Sequence, residues 1–167
     1  TLYDTDRYND LVTTTTPQEV AAVATIPVHN KEEIFSHQTV VVLDGVQDPG
    51  NVGAIFRLCQ GFGASLVLVE SADASSPKVI RSSVGSMFNV PWMSMTRPEA
   101  HALLTGQSTH QAYRLELTDQ AQGVETFTHD KPAMLIVGSE GQGILLSINA
   151  PSISIKHDKA LESLNVG

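Results

Sequence analysis

The sequence predicts an α/β fold, a mostly parallel sheet with helices on both faces. From residue 39 onward, short β-branched apolar runs alternate with stretches of helical periodicity, the pattern of strands joined by crossover helices. The first run ends in Asp48-Pro49-Gly50 and leads straight into a helical pattern. Such a turn, at the carboxyl end of a parallel strand, is where α/β sheets hold ligands. Two further polar turns follow later apolar runs, at 138–143 and 156–165, so a pocket lined largely by backbone groups is expected.

Residues 1–35 differ from the rest. Positions 3–10 are polar and turn-rich, the run 11–17 carries four threonines before Pro17, and 18–24 reads as a strand or short connector. Positions 30–36 read as a polar linker or short helix. The core opens with strand 39–43, β-branched and short. Asn51 is expected to cap the next helix, with Ala54, Ile55, Leu58, Cys59 and Phe62 on its inner face and Gly63 as its stop. A second strand follows at 65–70. Ser76 with Pro77 opens a helix running to about Met87, since proline at the first helical position forfeits no needed hydrogen bond. A third strand at 89–95 precedes Thr96 and Glu99, which match a capping box for a helix through Leu104. Strands at 112–118, 133–137 and 152–155 complete the sheet, and 163–166 would open a terminal helix.

At 167 residues the chain suits one domain. No apolar run approaches the ~20 residues of a membrane span, and no signal-like start is present. The single cysteine, Cys59, excludes an internal disulfide and suggests a reducing, cytoplasmic setting. The six histidines have no metal-binding spacing, so no metal is expected, and His157 receives no role. A net charge of −8 means that the overall field does not attract nucleic acid. Any such role falls to a local patch, with Lys78, Arg81 and Arg57 as its candidates, or to a segment beyond this chain. Starting at Thr1 and stopping at Val166-Gly167, the chain is expected to be a piece of a longer protein.

A dinucleotide site would place an acidic residue at the second strand's end, as Glu70 is. The glycines have the wrong spacing: Gly50-x-x-Gly53, with Gly45 too early, gives no G-x-G-x-x-G, and no phosphate loop exists. Glu70 therefore reads as a solvated strand end.

Three motifs in order carry a more specific signal. They are Asp48-Pro49-x-Asn51-x-Gly53-Ala54-Ile55-x-Arg57, then Val137-Gly138-Ser139-Glu140-Gly141-x-Gly143, then Ile153-Ser154-Ile155 with Ser163-Leu164-Asn165-Val166 after a loop. With Pro77-Lys78-Val79-Ile80-Arg81-Ser82-Ser83-x-Gly85 between them, this set resembles the SpoU family of the SPOUT superfamily. Those are RNA ribose 2′-O-methyltransferases that use S-adenosylmethionine. The resemblance implies a C-terminal trefoil knot and a homodimer. It implies cofactor contacts from Gly138, Ile155 and Leu164, and catalytic or polar roles for Arg57, Asn51, Glu140, Ser163 and Asn165. Glu140 is expected to orient Arg57 or Asn51, while Lys78 and Arg81 touch RNA phosphate. It further divides the chain into 1–35, a connector after an absent N-terminal RNA-binding domain, and 36–167, a methyltransferase domain lacking its terminal helix. The connector points to ribosomal rather than transfer RNA. Lys156 stands where the family usually has proline, and the span from Glu140 to Ile155 is a few residues short. The alternatives are a transfer-RNA methyltransferase, an inactive nucleotide-binding module and an oxidoreductase.

Overall fold

The structure, a computed structural model, describes residues 5–12, 16 and 19–155. Its strands are β1 (Thr39–Asp44), β2 (Ser65–Val69), β3 (Trp92–Met95), β4 (Gln111–Leu115), β5 (Gln122–Gly123), β6 (Ala133–Gly138) and β7 (Ser152–Ser154). They form one sheet in the order β3-β2-β1-β6-β4-β7-β5, with every neighbouring pair parallel. Helices α1 (Thr5–Leu11), α2 (Lys31–Ile34), α3 (Pro49–Phe62), α4 (Pro77–Ser83) and α5 (Arg97–Thr105) complete the regular structure, with 3₁₀ turns at Ser86–Phe88 and Val124–Thr126.

Strand alternation sends side chains into two cores. Leu43, Leu66 and Leu68 pack with Val52, Phe56 and Cys59 of α3 and Val79 of α4 on one face. Val40, Val42, Val67 and Val69 pack with Ile34 of α2 and Ala100 and Leu104 of α5 on the other. All five residues of β2 are buried, which is what a strand covered on both faces requires. The expected parallel sheet, clothed by helices on both sides, is therefore present.

Several expectations need correction. Asp48, not Asn51, caps α3: its side chain accepts from the Asn51 backbone N–H at 2.9 Å, because Pro49 takes the first helical position. The buried stripe of α3 is Val52, Ile55, Phe56 and Cys59; Leu58 and Phe62 lie off it and are exposed. Helix α4 stops at Ser83 rather than near Met87, since Val84 and Gly85 both adopt positive φ. The third strand begins only at Trp92, and the fourth ends at Leu115, short of Thr118. Strand β5 and helix α1 stand where no element was expected, and residues 19–30 form no strand. Asn30 caps α2 with Glu33 closing a capping box, and the expected Thr96–Glu99 box opens α5.

Lys156, His157 and the Ser163-Leu164-Asn165-Val166 motif lie outside the described residues, as does any terminal helix or knot. No described helix is long and apolar enough to cross a membrane.

Candidate active site at the carboxyl ends of β1 and β6

Strands β1 and β6 are neighbours, and their last residues, Asp44 and Gly138, are register partners. The turns that follow them therefore emerge side by side. In the first, Gln47 Nε2 donates to the Glu70 carbonyl at 2.6 Å, the Val46 N–H donates to Ser71 Oγ at 3.0 Å, and Asp48 begins α3. Ser82 of α4 donates its hydroxyl to the Pro49 carbonyl at 2.7 Å. A methyl at Gly53 would run into the Ser82 side chain and backbone, so only glycine lets α4 lie this close to α3.

The second turn folds back on itself. The Gly143 N–H donates to the Ser139 carbonyl at 2.9 Å, and the Gln142 N–H to Ser139 Oγ at 3.2 Å. A methyl at Gly138 would overlap the backbone of Gly143 and Ile144, so the returning chain needs glycine there. Asn51 Nδ2 donates to the Glu140 carboxylate, tying one turn to the other.

Beneath them lie charged groups that sequence reasoning missed. Asp44 is fully buried and accepts from Arg97 Nε at 2.8 Å and from the Leu145 and Leu146 N–H groups, each at 2.6 Å. Arg97 also pairs with Glu70. Glu70, expected to be a solvated strand end, instead holds this arginine while remaining partly exposed. On the other side, Arg114 forks onto both oxygens of Glu116 at 2.9 and 3.1 Å, and Ser152 Oγ donates to Glu116 at 2.6 Å. The Arg114 hydrogen bonds hold the Glu116 carboxyl below its ordinary range, against the opposing effect of burial, and the Ser152 hydroxyl adds to the lowering. A charged residue closing the apolar run Val40-Val41-Val42-Leu43 was the one signal that could have singled out Asp44.

The turns open on a cleft of about 800 Å³. Its walls include Leu117, Gly138, Ser139, Glu140 and Ile155, and its apolar floor includes Leu58, Cys59 and Phe62. Burial pushes the Cys59 thiol up to about 12, so it stays protonated and inert. The volume suits a nucleoside-sized ligand. Exposed backbone on a glycine turn, apolar walls and the nearby Glu140 and Glu116 carboxylates fit a cofactor with a flat base and a positive centre. A second hollow, about 760 Å³, lies by β4, β5 and β7 and takes in none of the expected site residues.

Of those residues, Gly138, Glu140 and Ile155 line the cleft, and Asn51 joins them through Glu140. Arg57 lies on α3 about 9 Å beyond Asn51 and about 120° around the axis. It is exposed, without a hydrogen-bond or ion-pair partner among the described residues, and is not part of the cleft wall. Lys78 and Arg81 are exposed on α4, the helix packed against α3. Ser163, Leu164 and Asn165 fall outside the described residues. Among the described residues no group of three His, Cys, Asp or Glu side chains converges as metal ligands would.

Comparison with known proteins bears on the same region. A model described as the SpoU rRNA Methylase family matches residues 38–167. The 23S rRNA (guanosine(2553)-2′-O)-methyltransferase RlmP of Bacillus subtilis is 31% identical over 166 residues, covering 96% of this chain and 65% of that protein. The chain thus spans less than two thirds of this curated relative. A TrmH-family protein from Porphyromonas gingivalis superposes with a TM-score of 0.77 at 28% identity, over 99% of this chain and 68% of the other. An AdoMet-bound rRNA methyltransferase from Sinorhizobium meliloti superposes with a TM-score of 0.69 at 29% identity, over 77% of this chain and 51% of that one.

Proposed function

This chain belongs to the SpoU rRNA Methylase family, and from that premise we propose that it transfers a methyl group from S-adenosylmethionine to a ribose 2′-hydroxyl of ribosomal RNA. One observation carries the reading beyond the family match: the Asn51–Glu140 hydrogen bond joins the two motif turns at the mouth of a cleft sized for the cofactor. The relative named as a 23S rRNA 2′-O-methyltransferase and the AdoMet-bound neighbour support substrate class and cofactor. The cytoplasm, a homodimer and the absence of a metal complete the proposal.

When bound, the cofactor would supply an electrophilic methyl to the ribose oxygen, with the neutral thioether as leaving group and the hydroxyl proton passing to solvent water. The chain's task is alignment and charge management. Gly138 and Ile155, with Leu164, would hold the base through backbone groups and apolar contact. Glu140 fixes Asn51 at the head of α3. Arg57 has a guanidinium without a partner among the described residues, and its planar fork suits the phosphate beside the target ribose. It would orient that phosphate and stabilise charge at the hydroxyl. Lys78 and Arg81 would meet further phosphates from α4, supplying locally the positive charge that the acidic chain lacks overall. Ser163 and Asn165 complete the proposed polar set.

Incubating the intact protein with methyl-labelled S-adenosylmethionine and with unmodified ribosomal or transfer RNA tests this. Label recovered as a 2′-O-methyl nucleotide in ribosomal RNA is expected. Label only in transfer RNA would redirect the substrate, and NAD binding without S-adenosylmethionine binding would remove the assignment.

A further inference from the structure

We propose that Asp44 is a positioning residue, a buried carboxylate that locks the returning limb of the 138–146 turn and thereby the cleft wall carrying Gly138 and Glu140. The inference rests on the proposed function for the identity of the ligand, and on the following geometry for the lock itself.

Asp44 is the one fully buried carboxylate among the described residues. A charge removed from water is tolerated only when its lone pairs are engaged, and every contact here is a donor. Oδ2 receives two consecutive backbone N–H groups, from Leu145 and Leu146, each at 2.6 Å. Oδ1 receives Arg97 Nε at 2.8 Å. Arg97 is itself fixed by Glu70, which accepts from its guanidinium and, at 3.1 Å, from its backbone N–H. Arg114 reaches the same limb from the other side, its Nη1 lying 3.4 Å from the Leu146 and Ile148 carbonyl oxygens. Leu146 is thus held through its N–H by an anion and, more loosely, through its carbonyl by a cation.

The lock acts on the turn and not on the sheet. Register between β1 and β6 is set independently by their own ladder from Thr39↔Ala133 to Asp44↔Gly138. Residues 139–148 lie outside the strands; besides the turn's own bonds at Ser139, the Asn51–Glu140 bond and a 2.7 Å contact between His101 Nδ1 and the Ser147 carbonyl, Asp44 and Arg114 are what hold them. An asparagine at position 44 preserves shape but replaces one acceptor oxygen with an NH₂ group. Whichever way that amide turns, it points a donor at either the Arg97 donor or the two loop donors.

Native-state hydrogen exchange on the cofactor-free intact protein, paired with calorimetric titration of S-adenosylhomocysteine, tests the lock. In Asp44→Asn, protection at the Leu145 and Leu146 amides should fall at least tenfold while strand amides such as Val42 and Val67 stay within twofold. Affinity for S-adenosylhomocysteine should also fall at least tenfold. Unchanged Leu145 and Leu146 protection overturns the lock, and lost protection with unchanged affinity overturns its positioning role. If Asp44→Asn does not fold, Arg97→Gln decides through a less buried side chain. Selective exposure of those two amides supports the proposal, and protection within twofold of the parent overturns it. A parent protein that protects both amides yet binds no S-adenosylhomocysteine defeats the functional reading and leaves the lock standing.

Discussion

The turn after β1 and the turn after β6 lie side by side but are held over different spans of sequence. The first has a local cap, Asp48 accepting from a residue three positions on with Pro49 presetting the first helical φ, and bonds of middle range to Glu70, Ser71 and Ser82, 23 to 33 positions apart. The second is pinned from afar, by Asp44 at the end of another strand and by Asn51 on another helix. Local capping makes a turn that survives rearrangement of its surroundings. Remote pinning makes one whose shape reports on the whole sheet.

Substituting a glycine in each turn tests this difference most severely. The three atoms nearest a methyl at Gly138 are all backbone, of Gly143 and Ile144, whereas one at Gly50 meets only the Asp48 carboxylate, at 2.8 Å from its Oδ1. Gly138→Ala should cost about 3 kcal/mol or more, because packed backbone has to move, while Gly50→Ala should cost less than about 1 kcal/mol. Chemical denaturation of the two variants compares them directly, and equal costs would erase the distinction.

Function should divide along the same line. Arg57 extends from the helix of the locally held turn, while the cleft wall belongs to the remotely held one. Arg57→Ala should slow methyl transfer on the order of 10²-fold, about 2.7 kcal/mol of barrier, with S-adenosylmethionine affinity nearly unchanged. Arg57→Lys should restore little, as an ammonium lacks the guanidinium fork. Single-turnover transfer, with binding measured on the same samples, checks both; unchanged turnover removes Arg57 from the mechanism. Asp48→Ala sharpens the contrast at smaller scale. Losing one cap should cost about 1 kcal/mol in thermal stability, and Leu145 and Leu146 should keep their exchange protection.

The smallest expected effect depends on pH. The folded-state pKa of Glu116 is lowered, so its carboxylate contributes stability above the unfolded-state value of about 4.5 and loses that contribution as pH falls through the lower folded value. Relative to Glu116→Gln, the parent should be more stable at neutral pH by a fraction of a kcal/mol, the scale of a partly screened pair. The gap should close on acidification in melting curves taken from neutrality to below pH 4. A gap that widens there would reverse the assigned sign.

How each turn is held also decides what could be read from the sequence. The strands, the crossover helices and the ordered motifs are patterns over a few residues, and the α/β sheet followed from them. The cap of α3 was misplaced by three residues because Asp48 and Asn51 are both good caps, and Pro49 decides between them only through geometry. Leu58 and Phe62 were assigned inward because they are apolar; residue type does not reveal that they floor a cleft. The Asp44–Arg97–Glu70 group was invisible because its members are 26 to 53 positions apart, or farther still from the loop they hold, and no periodicity links them. Glu140 and Asn51, 89 positions apart, were paired through the family resemblance rather than by any spacing in the chain.

That separation has a consequence for how the protein is made. The bond from Leu146 to Asp44 spans 102 residues, and the pairing of β1 with β6 is scarcely more local. Loop-closure entropy grows with such spans, and parallel pairings between distant strands form late and slowly. On the ribosome, β1, β2 and β3 can assemble while β6 is still unmade, with Arg97, 53 residues from Asp44, arriving well before the limb it will help to hold. The cleft proposed to hold the cofactor is then among the last parts of the chain to acquire its shape, and the proposed activity has to wait until the central sheet is closed.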